Sequence, residues 1–216
     1  MSRILFLAIA ACVALTACSS DKDREPGLMK QATGAIKSRF SRQETTPPPT
    51  RDQLRAAITP EFREQTGGVP LLLVTSQRVP VSSILTRFSV NGPVETYLTP
   101  DQISLSLRDG IVVSSRGLGN DLMSAEVTGV LDAIRAGEGR ALRKHRYLDG
   151  ENQEVIDRFT CDYSRPEDPA GTVIERCRGT DQSFTNSYAL DQDGRITLSN
   201  QWISPGLQSY LIEDIR

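Results

Sequence analysis

The chain has 216 residues, 25 Lys and Arg against 27 Asp and Glu, a net charge of -2 and 38% hydrophobic residues. That charge balance gives no footprint for nucleic acid, and aromatic residues at 6% leave few rings for a sugar-stacking surface. A length near ~200 residues is enough to bury the core of one domain.

The first element is an apolar run from Ile4 to Leu15, preceded by Met1-Ser2-Arg3 with one positive side chain. About a dozen residues fall short of the roughly 20 a spanning helix needs, so the run reads as the apolar region of an export signal. It ends on Leu15-Thr16-Ala17-Cys18, which resembles the L-[AST]-[GA]-C lipobox of bacterial lipoproteins. The resemblance implies a signal peptide over residues 1–17, cleavage before Cys18, a diacylglyceryl group on its sulfur and an acylated new amino terminus. The competing reading is an ordinary secretory signal that contains a cysteine. Acyl chains contribute about 0.8 kcal/mol per buried methylene, so several of them hold a protein to a membrane. By the same resemblance, Ser19 in place of aspartate favours the periplasmic face of the outer membrane.

Residues 18–50 read as a tether. Leu28, Ala32, Ile36 and Phe40 recur every fourth residue among Lys30, Lys37, Arg39 and Arg42, the pattern of a basic amphipathic helix. It either lies on an anionic membrane surface or packs its narrow stripe on the domain. Pro47-Pro48-Pro49 is a stiff spacer.

The domain proper spans residues 51–216. Thr50-Arg51-Asp52-Gln53 has capping-box spacing for a helix to about Ile58, and Thr59-Pro60 restarts one with proline in the first turn. From Val69 the pattern has period two. Strands are expected over 69–74, 85–90, 94–98, 103–107 and 111–113, with Asp109-Gly110 as a tight hairpin turn. Val127 to Ala136 takes helical spacing and stops at Gly137 and Gly139. Strands resume over 142–148, 155–163, 173–178, 183–190, 195–203 and 207–212, with turns at Asp149-Gly150 and Asp191 to Gly194. Roughly ten short strands imply a mainly β fold. The expected form is an antiparallel barrel or a barrel-like two-sheet meander with one or two short helices.

Of four cysteines, Cys12 leaves with the signal and Cys18 carries lipid. Cys161 and Cys177 remain in an oxidising compartment, where a disulfide is the default and free thiols the alternative. Metal binding is a poor competitor, because His145 is the one histidine and no C-x-x-C occurs. Gly117-x-Gly119 lacks the third glycine of a dinucleotide loop, and Ser115 and Ser124 sit in no nucleophile elbow. A Ser-His-Asp triad could use only His145, which stands among Arg143, Lys144 and Arg146 and reads as an exposed strand residue. Glu167-Asp168 between prolines reads as a solvated loop and not as half of a facing acid pair. No catalytic residue, metal or cofactor is therefore expected. Trp202, Tyr188 and Tyr210 either pack in the core or stack on sugars. The basic run of Arg140, Arg143, Lys144 and Arg146 either guards an edge strand or meets an anionic glycan.

Two segments remain distinctive: Thr99 to Gly110, and Arg116-Gly117-Leu118-Gly119-Asn120-Asp121-Leu122-Met123-Ser124-Ala125. With the Lys144 to Gly150 hairpin and the two-cysteine segment, they resemble the YjbF/GfcB family, the group 4 capsule polysaccharide lipoproteins, over roughly Val69 to Ile212. The resemblance implies an outer-membrane lipoprotein with a β-barrel-like domain. It also implies two partners from a polysaccharide export system: an outer-membrane β-barrel protein and a soluble periplasmic companion. It carries no catalytic residue. Within the block, Leu118, Leu122 and Met123 either plug one barrel end, or Arg116 and Asp121 form an exposed docking loop. The candidate partner or glycan contacts are Arg116, Asp121, Arg143, Lys144 and Trp202. The leading expectation is a non-enzymatic accessory of exopolysaccharide or capsule secretion. A glycan-binding or glycan-modifying periplasmic protein is the alternative, and an envelope-maintenance lipoprotein the third reading.

Overall fold

The computed structural model describes residues 47–148, 151, 153–167 and 170–216. The signal peptide, Cys18, the amphipathic stretch and the Asp149-Gly150 turn lie outside the described residues. Two short helices lead in. In α1 (Arg51–Ala57), the Thr50 hydroxyl accepts from Gln53 N at 3.2 Å and the Gln53 carboxamide accepts from Thr50 N at 2.9 Å. In α2 (Pro60–Gln65), Thr59 accepts from Phe62 N.

The strands are β1 (Leu71–Ser76), β2 (Ser82–Asn91), β3 (Val94–Leu98), β4 (Ser104–Arg108), β5 (Ile111–Arg116) and β6 (Leu122–Glu126). After helix α3 (Val130–Ala136) follow β7 (Gly139–Leu148), β8 (Glu154–Ser164), β9 (Thr172–Arg178), β10 (Ser183–Leu190), β11 (Ile196–Ser204) and β12 (Gln208–Ile215). Every ladder is antiparallel, and each strand pairs with its chain neighbours except at β5 and β6, which form no ladder with each other. Strand β1 also pairs with β12, so the 12-stranded sheet curls into a nearly closed barrel with β5 and β6 at its two edges. α1 packs outside the sheet, where Arg51 donates to Leu73 O at 3.2 Å and to Glu213 Oε2 at 2.6 Å.

Period two sets the inside and outside of each wall. On β7, Ala141, Arg143, His145 and Tyr147 are buried, while Leu142 and Leu148 face out. The next strands along the wall, β8, β9 and β10, supply Phe159, Cys161 and Tyr163, then Val173, Glu175 and Cys177, then Phe184, Asn186 and Tyr188. Val130 and Ile134 of α3 are fully buried. The Asp109-Gly110 turn takes φ of 50° and 85°, the left-handed region both positions of this turn require.

β6 departs from expectation. Residues 122–126 alternate weakly and follow a glycine-rich loop, so no strand was visible there, yet the segment forms the second sheet edge.

Cys161 and Cys177 are direct cross-strand partners on β8 and β9, both buried and joined as a disulfide with Cα atoms 4.0 Å apart. Replacing both by alanine should lower the unfolding free energy by about 3 kcal/mol, the loop-closure value for about fifteen residues, while the sheet signal in circular dichroism persists. Urea denaturation followed by Trp202 fluorescence checks this; an unchanged midpoint would show that the crosslink does not constrain the unfolded chain.

Candidate functional site at the seam end of the barrel

The distinctive block joins β5 to β6, where the backbone ladder is interrupted, and its side chains supply the missing hydrogen bonds. Asp121 Oδ2 accepts from Gly117 N at 2.9 Å, and its Oδ1 accepts from Leu118 N at 3.2 Å and the Ser115 hydroxyl at 2.8 Å. The Ser115 oxygen accepts from Leu122 N at 3.0 Å. Arg116 reaches across the gap to Leu122 O at 3.1 Å and Met123 O at 3.2 Å, and also donates to Ser115 O. The loop leans on the β11–β12 turn, where Ser204 donates to Asn120 O at 2.7 Å. A Cβ at Gly206 would collide with the Asn120 side chain.

Beside this loop the barrel end opens into an apolar cavity of about 400 Å³, walled by residues that include Leu85, Ile103, Leu105, Leu118 and Leu207. Arg78 is the charged residue of its lining. Across Asn120 and Gly206 lies a more polar pocket of about 330 Å³ with Tyr147, Asp157 and Asp181.

Deeper in the barrel, Arg143 makes a bidentate pair with Glu175 at 2.7 and 2.9 Å. Tyr188 donates to Glu175 Oε2 at 2.7 Å and accepts from Arg143 at 2.8 Å, and Tyr163 also donates to Glu175. Asn186 donates to Glu175 Oε2 at 2.7 Å and accepts from Trp202 N at 2.7 Å. Burial pushes the Glu175 carboxyl up, but the charge and hydrogen bonds of Arg143 prevail and hold it below its ordinary value. Next to this cluster, His145 lies against Phe159, Phe184 and Trp202, 5.4 to 5.9 Å between ring centres. Neither of its ring nitrogens has a hydrogen-bond partner. Burial, aided by the Arg143 charge, pushes it down to about 3.

The structure corrects several expectations. His145 is 1% exposed and not on an outer strand face. Arg143 is 3% exposed and serves as the internal counter-ion of Glu175, so it is not a glycan contact on the surface. Trp202 is 6% exposed and stacks on Phe184 at 4.6 Å, which removes it as a sugar platform. The basic run divides because neighbours on a strand face opposite sides. Lys144 does face out, pairs with Glu126 and borders an outer groove with Arg140, Leu142 and Arg158. Arg116 is exposed at the surface, but its donors are turned onto the seam; Asp121 is half-buried within the turn. Leu118 lines the cavity and Leu122 is buried beneath it. Glu175 was missed, although it shares the inward parity of Val173 and Cys177. Cys161, Cys177 and Glu175 cluster tightly, but both sulfurs are spent in the disulfide.

Residues 55–214 match the family described as group 4 capsule polysaccharide lipoprotein gfcB, YjbF. Among solved structures, the hypothetical lipoprotein YmcC from Escherichia coli (K12) is similar with a TM-score of 0.61 and 14% identity. The match covers 79% of this chain and 97% of that one, and at that identity it speaks for the shared fold. No curated protein matches this chain.

Two measurements test the interior. Glu175→Gln leaves the Arg143 charge buried without a counter-ion and should cost about 3–5 kcal/mol of stability by denaturant titration; a loss below about 1 kcal/mol would mean the pair is not holding the barrel. His145 binds a proton less readily folded than unfolded, so stability is full above pH 6.5 and declines as pH falls toward about 3. Between pH 6.5 and 4.5, above the carboxylate range, His145→Phe should flatten that slope; parallel curves for the two proteins would refute the assignment.

Proposed function

Because the chain belongs to the group 4 capsule polysaccharide lipoprotein family, we propose that it is a lipid-anchored, non-enzymatic accessory of capsule or exopolysaccharide assembly and secretion at the periplasmic face of the outer membrane. The family match over residues 55–214 carries this reading. Acylation of Cys18 ties the domain to the leaflet, and the tether raises its effective concentration near a partner in the same membrane. The partners are an outer-membrane β-barrel protein and a soluble periplasmic companion. The interior polar cluster supports work by surface contact, since Arg143, Glu175, Tyr163 and Tyr188 are locked to one another. The outward face of β7, with Leu142 69% exposed beside Lys144, is the contact surface we assign to a partner.

Crosslinking in intact cells followed by pull-down from membranes should recover an outer-membrane barrel protein. Leu142→Glu should weaken that recovery without lowering the melting temperature. Cys18→Ser should abolish palmitate incorporation and release the protein from the membrane fraction. Recovery of glycan with no protein partner would support the alternative, a polysaccharide-binding role.

A further inference from the structure

The seam-end cavity combines three features that together specify an occupant. Its walls are mostly apolar, with Leu85, Ile103, Leu105, Leu118 and Leu207 among a few serine, threonine and asparagine side chains. The charge on its lining is positive, from Arg78, and no carboxylate lines it. The β1–β2 loop at its rim holds Val79 and Val81 55% and 43% exposed, flanking Pro80. We infer that this end of the barrel binds the alkyl chain of an anionic amphiphile, with the chain in the hollow and the head group at Arg78.

A volume of about 400 Å³ falls within the size range of small-ligand sites, roughly 300–1,000 Å³, which are mostly apolar with a few fixed polar groups. A sugar fits less well than an alkyl chain, because most of the exposed lining is carbon and its hydroxyls would lose more water than Ser76, Ser83, Thr99 and Asn120 can replace. An amphipathic helix needs an elongated groove, and this opening is a hollow between strand ends. One terminal nitrogen of Arg78 donates to Gly206 O, which fixes the side chain at the cavity mouth. The remaining donors of the guanidinium suit a carboxylate or a phosphate, both of which accept two parallel hydrogen bonds. Exposed valines next to a cation also fit a lipid–water boundary, where apolar groups enter the acyl region and the cation meets anionic head groups. This inference does not depend on the accessory role proposed above.

The test uses the full chain carrying Cys18→Ser, titrated calorimetrically with decanoate, dodecanoate and tetradecanoate below their micelle concentrations. The signal segment is common to all variants and cancels in their comparison. Affinity should rise about tenfold for every two carbons, as methylene burial requires. Ser83→Phe, which places a ring in the hollow, should weaken dodecanoate binding at least tenfold with an unchanged melting temperature. Val81→Trp, on the exposed rim, serves the same purpose should the first variant not fold. Arg78→Ala should erase the preference for dodecanoate over dodecanol. Binding to phosphatidylglycerol vesicles as well as to dodecanoate assigns the ligand to membrane lipid; binding to dodecanoate alone assigns it to free fatty acid. Absence of saturable binding overturns the inference, and so does affinity independent of chain length or untouched by both cavity variants.

Discussion

A meander of strands that curls back on itself ends with two sheet edges face to face, each with backbone groups lacking a ladder partner. Such groups are costly when buried and invite foreign strands when exposed. In this protein the two edges are β5 and β6, and the chain passes directly from one to the other through five residues. The guanidinium of Arg116 supplies donors to carbonyls of the facing strand, and the Ser115 hydroxyl takes one of its amides. Asp121 fixes the intervening turn by accepting from two backbone amides and from that hydroxyl. The distinctive block is thus the closure of the barrel, and its Leu118 lines the opening that the closure leaves.

Closure creates an inside, and the inside sets the next demand. A barrel of this many strands is too wide for aliphatic side chains alone to fill. The chain answers with long polar and aromatic residues in layers: a flat stack of His145, Phe184 and Trp202 edged by Phe159, then the salt bridge of Arg143 and Glu175 capped by two tyrosines and an asparagine. The ion pair is tolerable because every oxygen of Glu175 is satisfied and the histidine beside it stays neutral. A charged His145 would face Arg143 at close quarters with no acceptor for either of its own N–H groups. Burial and the Arg143 charge together therefore keep the His145 ring neutral.

What was legible in the chain follows from which signals are local. Capping at Thr50, the Asp109-Gly110 turn and the strands from Val155 onward each rest on a few adjacent residues, and the structure has them close to where they were expected. The pairing of Cys161 with Cys177 needed only the compartment and the count. Sidedness was harder. On β7 the two faces read Ala141-Arg143-His145-Tyr147 and Leu142-Lys144-Arg146-Leu148, and hydrophobicity favours the second as the inner face. The first won because Glu175, Tyr163, Tyr188 and Asn186 wait opposite it, on strands distant in sequence. A buried charge is intelligible only with its partner, and period two says which residues share a face without saying which face is wet. The same limit hid β6, whose strand character comes from the Arg116 stitch and from pairing with β7.

The arrangement of charge also divides the molecule by what each part can do. Within the barrel, the Glu175 carboxylate is committed to Arg143 and the tyrosines, and at one rim Glu95 is held down to about 2 by Arg216, Arg87 and Tyr97 against the opposing effect of burial. Groups so deeply committed hold shape; they have no free lone pair or proton to offer a passing molecule. More open surfaces lie elsewhere: the outer face around Leu142 and Lys144, and the mostly apolar mouth beside the seam. One is a groove that mixes an exposed leucine with cations, suited to a protein face. The other is a mostly apolar hollow with a single cation at its lip. The two surfaces lie apart, one on the outer side of β7 and one at the seam end, so each is open to its own neighbour.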